Sequence, residues 1–454
     1  MDERVPIPTS RATSETAFIK RVVTVALGDV CGNVANRLAQ HGPQTVAQIA
    51  RALSITQKDT TLALKSLVQH GFVVGGGDRG AMDLDRVTIS SSILAPAYVV
   101  YVGDVFGVEA EVIVEFLSEH GRLTGATLSA LFSTSQQNAT PAQLDRFMES
   151  CNELLEKSFL RRVPPVEVEG GVKMDEDTSL SATNNDVVVA LDHETFRRAL
   201  RNQLIVNYVN NRLDQTAGIV CKSMLSAAKK DNLDPPEFTE MALFDYLPSD
   251  AKITRSQLRQ TLLEMLNDNI PIVEIKESVS CGEVYAVRVA ALIDELRRRH
   301  AQAIVRAKFG DEAARIFMLL LDKHQLEEKA ISEFSLISKK QARTNLYAMM
   351  QSEFIALQEL PKSADRNPQR TLFLWSVPIN RLFANVRSSL RQAWINLQLR
   401  LEHETKAAAA VVARVRDGTA NQADQTEYQK FTKIQDRLVD ASCRILYDII
   451  LFDS

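Results

Sequence analysis

The chain has 454 residues, of which 45% are hydrophobic and 24% are charged. These fractions are ordinary for a soluble globular protein and exclude collagen-like repeats, disulfide-rich miniproteins and wholly disordered chains. Its 53 Lys and Arg side chains against 57 Asp and Glu give a formal net charge of −4. Because a free-standing nucleic-acid binder is usually strongly basic, any nucleic-acid contact should be local or shared with partners. At roughly 150 residues per domain, the length corresponds to three or four domains.

The five cysteines lie far apart, and no two of them form a CxxC pair. An odd, scattered set of this kind predicts buried thiols in a reducing compartment, with neither a disulfide framework nor a zinc site. The first ten residues contain acids and two prolines where a secretory signal needs an apolar core. The apolar runs are far shorter than the roughly 20 residues that span a bilayer. We therefore expect an intracellular protein without a membrane segment.

A short pattern recurs four times: an amphipathic helix ends, a polar corner follows and a β-rich run begins. The copies lie at 61–74, 147–163, 258–275 and 344–360, and they align on Phe72, Phe159, Ile270 and Phe354. Each copy has Leu or Met at helical spacing before its corner. Repetition at domain-sized intervals predicts four small domains of one type in series.

The first copy predicts the complete order of elements. AFIKRVVTVALGDVCGNVANRLAQHG (17–42) favours one long helix that ends at Gly42, and TVAQIARAL favours a second, short helix. Thr56 is a plausible N-cap for a third helix. FVV and RVTI (86–89) then flank a turn-rich segment and are predicted to form a β-hairpin. Three helices followed by a two-stranded wing are the winged-helix arrangement.

The later copies repeat this order. In the second, SFLRRV (158–163) and DVVVALD (186–192) are predicted to pair on either side of an acidic span. That span, 164–186, has a local net charge of −5 and no apolar periodicity, so we expect it to be disordered. The predicted domains are winged helix 1 over 1–100, winged helix 2 over 101–192, winged helix 3 over 193–290 and winged helix 4 over 291–378.

The tail, residues 379–454, has a different pattern, with apolar residues at alternating spacings of three and four. The seam includes Leu390, Trp394, Leu397, Leu401, Ile434 and Leu438. DGTANQ (417–422) interrupts the pattern with a Gly and turn formers, which predicts two antiparallel helices in a coiled-coil hairpin. The apolar end LYDIILF should dock on another domain or on a partner. The predicted fold class is therefore mainly α with small β wings: four tandem winged helices and a coiled coil.

Motifs for enzymatic chemistry are weak in this sequence. Gly75 to Gly80 spell G-x-G-x-x-G, but the following residues favour a return strand and not the helix that a dinucleotide site requires. The seven histidines form no metal-ligand cluster, and His41, His70 and His120 fall at predicted helix ends. No nucleotide-binding, hydrolase or kinase motif is present. We expect neither a cofactor nor a metal, and no catalytic activity of the chain itself.

Basic residues are the remaining candidates for contacts. Winged helices often use Lys and Arg of the third helix and the wing against nucleic acid. The fourth domain has Lys339, Lys340 and Arg343 on its third helix and Lys362, Arg366 and Arg370 in the following loop. The first domain has Lys58 and Lys65 on its third helix, with Arg79 and Arg86 in its wing. The fourth domain is the better candidate because helix and loop are both basic, although a solvated charged face would also explain each cluster.

Several segments resemble one known family. They are ALGDVCGNVANRLAQHGPQTVAQIARAL, DTTLALKSLVQHGFV, RLTGATLSALF, NRLDQTA (211–217) and PKSADRNPQRTLFLW (361–375). They are similar to the largest subunit of the RNA polymerase III-specific initiation trimer, the RPC-three family, over nearly the whole chain. The last two segments are the most specific. The family has four extended winged helices and a coiled coil, related to those of the general transcription factor IIE.

The resemblance implies a non-catalytic nuclear subunit that acts in promoter recruitment and DNA opening at tRNA, 5S and other short RNA genes. Implied partners are the two smaller trimer subunits, the clamp of the largest polymerase subunit, promoter DNA and, indirectly, initiation factor IIIB. The insertion at 164–186 is short, which puts in doubt the contacts that larger members make through such insertions.

Two other functions fit a chain of winged helices. One is a stand-alone DNA-binding regulator, against which the net acidity and the weakly basic third helices of domains two and three argue. The other is a scaffold of a different assembly, such as a proteasome-lid or ESCRT particle, against which NRLDQTA (211–217) and PKSADRNPQR (361–370) argue.

Overall fold

A computed structural model of the chain describes residues 11–75, 80–135, 140–163, 187–227, 236–248, 252–279, 282–361 and 371–453. The chain forms two compact units. Unit 1 is Met1–Asn202 with Trp394–Leu446, and unit 2 is Gln203–Ala393 with Tyr447–Ser454. The boundaries of the four domains stay a prediction.

One arrangement occurs four times: a leading helix is followed by three further helices and a β-wing. The first copy comprises α1 (Arg11–Leu27), α2 (Asp29–His41), α3 (Val46–Leu53), α4 (Gln57–Gln69), β1 (Val73–Gly75) and β2 (Met82–Leu84), and α5 (Arg86–Ser92) follows it. The second comprises α6 (Ala95–Phe106), α7 (Val108–His120), β3 (Leu123–Thr124), α8 (Gly125–Ser135), α9 (Pro141–Glu156), β4 (Leu160–Val163) and β5 (Val188–Leu191). The third comprises α10 (His193–Arg212), α11 (Gln215–Ser226), β6 (Phe238–Thr239), α12 (Glu240–Tyr246), α13 (Arg255–Asn267), β7 (Val273–Val279) and β8 (Gly282–Val287). The fourth comprises α14 (Val289–Phe309), α15 (Asp311–Lys323), β9 (Gln325–Glu327), α16 (Glu328–Ser335), α17 (Lys339–Gln351), β10 (Ala356–Pro361) and β11 (Thr371–Ser376), and the tail comprises α18 (Ile379–Arg416) and α19 (Gln422–Asp453).

The wings are antiparallel hairpins, as predicted, and the fold class is confirmed. In the second, third and fourth copies a short strand before the second helix pairs with the return strand of the wing, so that each sheet has three strands. In the first copy this strand is reduced to a single bridge between Gln44 and Met82. The sheets stay small because most of each copy's buried side chains come from its helices.

Glycines with positive φ end the leading helix in three of the copies. Gly28, Gly107 and Gly310 lie at φ 86°, 96° and 90°. Side chains with a Cβ rarely adopt this backbone conformation, so glycine allows the chain to leave one helix and start the next at once. The predicted single helix over 17–42 was therefore wrong in one respect, because the chain breaks at Gly28 into α1 and α2.

The segment RVTI (86–89) is helical, and its prediction as a return strand was wrong. The carboxylate of Asp85 accepts hydrogen bonds from two backbone N–H groups of the first turn, at 3.1 and 3.0 Å, and so caps α5. This cap outweighs the β-propensity of the branched side chains. The return strand is β2, and Arg86, which we expected in the wing, donates instead to the carbonyl oxygen of Ala39 at 3.0 Å.

The corner between the third helix and the wing has a common backbone hydrogen bond. The N–H groups of Phe72, Phe159 and Phe354 donate to the carbonyl oxygens five residues earlier, at 2.8 to 3.0 Å. In the third copy, the corresponding donor is the fully buried Ile272, whose N–H donates to Met265 at 2.9 Å. The alignment on Ile270 was therefore displaced by two residues, because this corner is longer.

The tail forms the predicted pair of antiparallel helices, with the turn at 417–421 between them. In unit 1, the indole of Trp394 on α18 packs edge-on against Phe18 on α1, with 5.7 Å between ring centroids. In unit 2, the end of α19 is buried, and Arg297 on α14 donates from Nε to the carbonyl oxygen of Leu451 at 2.8 Å. The apolar end of the chain therefore docks on helices of its own unit.

Among the described residues, no single helix is long and apolar enough to cross a membrane; only the bent pair of α5 and α6 meets that test when its two members are taken together. Cys31, Cys151 and Cys221 are buried free thiols, as expected, whereas Cys443 is only half-buried and Cys281 lies outside the described residues.

Candidate nucleic-acid and partner interface

Helix α17 presents the predicted basic cluster of the fourth copy. The hydroxyl oxygen of Ser338 accepts a hydrogen bond from the backbone N–H of Gln341 and caps the helix. Ala342, Leu346 and Met349 are buried, and this apolar face fixes the rotation of the helix. The side chains of Lys339, Lys340 and Arg343 on the same helix are exposed. The sequence pattern thus placed these three cations correctly on one exposed helix.

The three cations differ in their surroundings. Arg343 lies 2.7 Å from the carboxylate of Glu328 on α16, and this hydrogen-bonded pair raises the pKa of Arg343. Within the described part of the chain, Lys339 and Lys340 have no carboxylate within ion-pair distance. Lys362, Arg366 and Arg370 lie outside the described residues. The two lysines are therefore the free charges of this helix for a phosphate or an acidic partner.

Exposed apolar side chains next to this cluster were not predicted. Phe334 and Leu336 are 63% and 88% exposed, and they lie at the end of α16, just before Lys339. Leu336 adopts φ 56° at the C-cap of α16, a backbone conformation that costs a branched L-residue roughly 1–2 kcal/mol and that Gly or Asn usually provides. A leucine in this position, where the sequence has no capping glycine, was the available signal for an exposed apolar side chain at the end of α16.

Of the basic residues predicted in the first copy, the two on its third helix lie where the sequence predicted them. Lys58 and Lys65 are exposed on α4, opposite the buried face of that helix. Arg79 lies outside the described residues. Arg86 starts α5 and forms a 3.4 Å ion pair with Glu15, so it does not extend a basic wing.

The predicted seam of the tail is buried only near its start. Leu390 and Trp394 are 9% and 5% exposed, and Leu397, Leu401 and Leu438 are half-buried. Ile434 is 39% exposed, so the seam is open there. In unit 1, Leu401 and Trp394 line an apolar cavity of about 300 Å³ together with Val22.

The Gly-rich segment and the histidines have structural positions. Strand β2 follows Gly80, and not the helix that a dinucleotide site requires. His41, His70 and His120 lie at the C-terminal ends of α2, α4 and α7, as predicted. In the ranges that the structure describes, no group of three or more His, Cys, Asp or Glu side chains could hold a metal ion.

The NRLDQTA segment forms the turn between α10 and α11. The guanidinium of Arg212 makes a two-pronged hydrogen-bonded pair with the carboxylate of Asp268, at the end of α13. Asp214 caps α11 by accepting a hydrogen bond from the N–H of Ala217 at 2.7 Å. Next to this turn, a Cβ at Gly218 would overlap the side chain of Asn210. The segment therefore fixes one turn in the third copy through several specific contacts.

Three family models match this chain in succession. A model of the RNA polymerase III subunit RPC82 helix-turn-helix domain matches residues 18–74, a model of RNA polymerase III subunit RPC82 matches 120–296, and one of the POLR3C C-terminal winged-helix domain matches 301–377. These matches cover helices of all four copies. The chain belongs to the RPC3 family of RNA polymerase III subunits.

Individual members of the RPC3 family are distant in sequence. The chain is 25% identical to "DNA-directed RNA polymerase III subunit RPC3" of Danio rerio over an alignment of 415 residues that covers 77% of each chain. It is 29% identical to the subunit of the same name from Bos taurus over 258 residues, and 30% identical to that of Rattus norvegicus over 217 residues. Those alignments span 48% and 40% of the length of the bovine and rat proteins. The resemblance found in the sequence is thus confirmed.

Proposed function

We propose that this RPC3-family chain is a nuclear, non-catalytic subunit of RNA polymerase III that acts in promoter recruitment, DNA opening and initiation at tRNA, 5S and other short RNA genes. The observation that carries the proposal is the serial match of three models of one subunit family to the four winged-helix copies. Each copy supplies a capped third helix with one buried and one exposed face. Such domains provide docking surfaces on rigid helices.

The proposed partners are the two smaller subunits of the initiation trimer, the clamp of the largest polymerase subunit and promoter DNA, with initiation factor IIIB contacted indirectly. The tail is a candidate docking element, since Ile434 and Val439 on α19 are 39% and 43% exposed. An exposed apolar patch that continues a partly buried seam is a candidate surface for binding another protein.

Assembly can be tested by purifying the tagged protein from its own cells and identifying the co-purifying subunits. We expect polymerase III subunits in stoichiometric amounts. Exchanging Leu397 and Leu401 for Asp places charges into the half-buried seam and should reduce this yield several-fold. Leu399→Asp is the matched control, because Leu399 is 45% exposed on the same helix. Recovery of a different assembly would contradict the proposal, and full yield from the double variant would show that the seam is not a docking element.

The basic face of α17 is the proposed contact with DNA, together with Lys362, Arg366 and Arg370. Each phosphate contact that is lost should lower the slope of log affinity against log salt by roughly 0.9. We therefore expect Lys339→Glu with Lys340→Glu to weaken DNA retention by the assembled polymerase. The slope of log affinity against log salt should fall by the amount that corresponds to about two lost contacts. Reversal of the three loop cations should act in the same direction.

The matched control is Lys323→Glu with Lys329→Glu, which makes the same charge change at exposed positions of the fourth copy that lie next to Asp322 and Glu333. Equal retention and equal slopes for all variants would contradict the DNA contact. A variant of α17 that fails to join the polymerase would instead indicate a protein partner, which the neighbouring Phe334 and Leu336 would also fit.

A further inference from the structure

A small cavity in unit 1 lies where the ends of α4 and α7, strands β4 and β5 and the start of α10 come together. Its volume is about 50 Å³. The basic side chains in its wall are His70, Arg122, Arg161 and His193, and none of its lining residues is acidic. Four basic groups thus converge on a space that is large enough for one small ion.

Within the described structure, neither arginine of this cavity has a carboxylate at ion-pair distance. The two guanidinium groups lie close enough that Arg161, after burial, lowers the pKa of Arg122. The carboxylates of Asp85 and Asp192 act on His193 through their charge, and each accepts a hydrogen bond from the hydroxyl group of a threonine three residues along the chain.

Two nitrogen atoms in the wall of the cavity lack partners. Arg122 Nε and His193 Nδ1 are buried and have no hydrogen-bond partner within the described structure. Buried polar groups in folded proteins are almost always paired, so the unpaired N–H of Arg122 Nε beside a second arginine indicates a missing acceptor. Burial also holds the pKa of His193 at about 4, with Arg161 contributing to this shift.

The cavity is held in place by backbone contacts between the first two copies. The side-chain amide of Gln69, at the end of α4, donates to the carbonyl oxygen of Arg122 and, at 3.4 Å, to that of His120. The backbone N–H of Arg122 donates in turn to the carbonyl oxygen of Gln69 at 2.9 Å. A Cβ at Gly121 would come within 2.4 Å of that same oxygen. The basic groups are therefore attached to a closely packed frame.

We propose that this cavity binds a single oxyanion of the phosphate class, held by the guanidinium groups of Arg122 and Arg161 and by the imidazole of His193. Guanidinium groups match the geometry of phosphate oxygens and strengthen such hydrogen bonds through their charge. The phosphate is either inorganic phosphate or a phosphate group at the end of a nucleic acid. This site is separate from the α17 face and does not depend on the proposed function.

The experiment titrates the full chain with sodium phosphate at constant ionic strength. Binding is measured by calorimetry and by the change in melting temperature, and sodium chloride is the reference salt. We expect saturable binding and a rise in melting temperature, since a ligand that binds only the folded state stabilises it. Arg122→Gln and Arg161→Gln should each weaken binding at least tenfold. Arg51→Gln, at an exposed arginine of α3 in the same unit, should leave it unchanged.

A second arm distinguishes the two sources of phosphate. A short oligonucleotide with a 5′-phosphate is compared with the same oligonucleotide without it, as competitors of inorganic phosphate. Competition only by the phosphorylated form supports a nucleic-acid end, and no competition supports free phosphate. The proposal is overturned if phosphate gives no saturable signal, or if the Arg122→Gln and Arg161→Gln variants bind it as the wild type does. Arg161 is exposed on β4, so its variant tests binding without disturbing the core.

Discussion

The second and third winged helices differ in how their arginines near a helix end and a wing are paired. In the third, the side chains of Arg212 and Asp268 are 21% and 13% exposed, and they form a two-pronged pair. In the second, Arg122 and Arg161 lie beside each other, and neither makes an ion pair with a described residue. The comparison shows that the density of basic residues along a chain does not reveal where positive charge is left unbalanced.

The paired arginine gives the largest expected effect. Asp268→Asn leaves Arg212 half-buried without a counter-charge and should lower the free energy of unfolding of unit 2 by roughly 2–4 kcal/mol. Arg212 holds the pKa of the Asp268 carboxyl below its usual range. The stabilisation is therefore present above about pH 4 and is lost as the pH falls through the depressed pKa of the folded state.

Urea unfolding of the wild type and of the Asp268→Asn variant at pH 7 measures this loss in the free energy of unfolding. Asp311→Asn is the matched control, because Asp311 pairs with Arg306 at a site where both side chains are more than half exposed. Equal losses in the two variants would show that burial does not strengthen the pair at Asp268.

The stability of unit 1 should depend on pH through His193, which lies in the wall of the cavity with Arg122 and Arg161. Folding lowers the pKa of His193 from 6.5 to about 4, mainly through burial. Between these values the unfolded chain binds a proton that the folded chain does not, so unit 1 should lose stability as the pH falls from 6.5 to 4. The full shift corresponds to roughly 3 kcal/mol at most. Unfolding curves at pH 7, 6 and 5 should show a shallower decline for His193→Gln than for the wild type.

His403→Gln provides the comparison for this experiment, since the imidazole of His403 is 73% exposed. It should leave the pH dependence unchanged. A wild-type profile that stays flat between pH 6.5 and 4 would mean that His193 is protonated in the folded chain.

The smallest expected effect is a gain in stability, in contrast to the loss expected for Asp268→Asn. Arg161→Glu removes a repulsion and places a carboxylate beside Arg122, so it should raise the free energy of unfolding by about 0.5–1 kcal/mol. Arg51→Glu makes the same change at an exposed arginine outside the cluster and should have no such effect. Both are measured by urea unfolding without phosphate. Destabilisation by Arg161→Glu would indicate that the cluster is already neutralised inside the protein.

The confirmed predictions of helix starts depended on residues only a few positions apart in the sequence. Thr56 and Thr140 each start a third helix, because a hydroxyl or amide within three residues satisfies the first free N–H groups. The break at Gly28 had a local signal too, but it lay within a continuous helical period and was missed. The Asp85 cap was also missed, since the β-branched residues after it suggested a strand.

By itself, the sequence of this RPC3-family chain determined its four-fold repeat, the order of helices and wings, the antiparallel tail and the exposed face of α17. These features depend on residues a few positions apart, whose spacing decides helical period, capping and turns. Only the tertiary structure decided that Asp268 lies opposite Arg212, 56 residues away, while Arg122 and Arg161 have no such partner among the described residues. Counter-charges are brought together by packing of distant segments, and no local pattern encodes that distance.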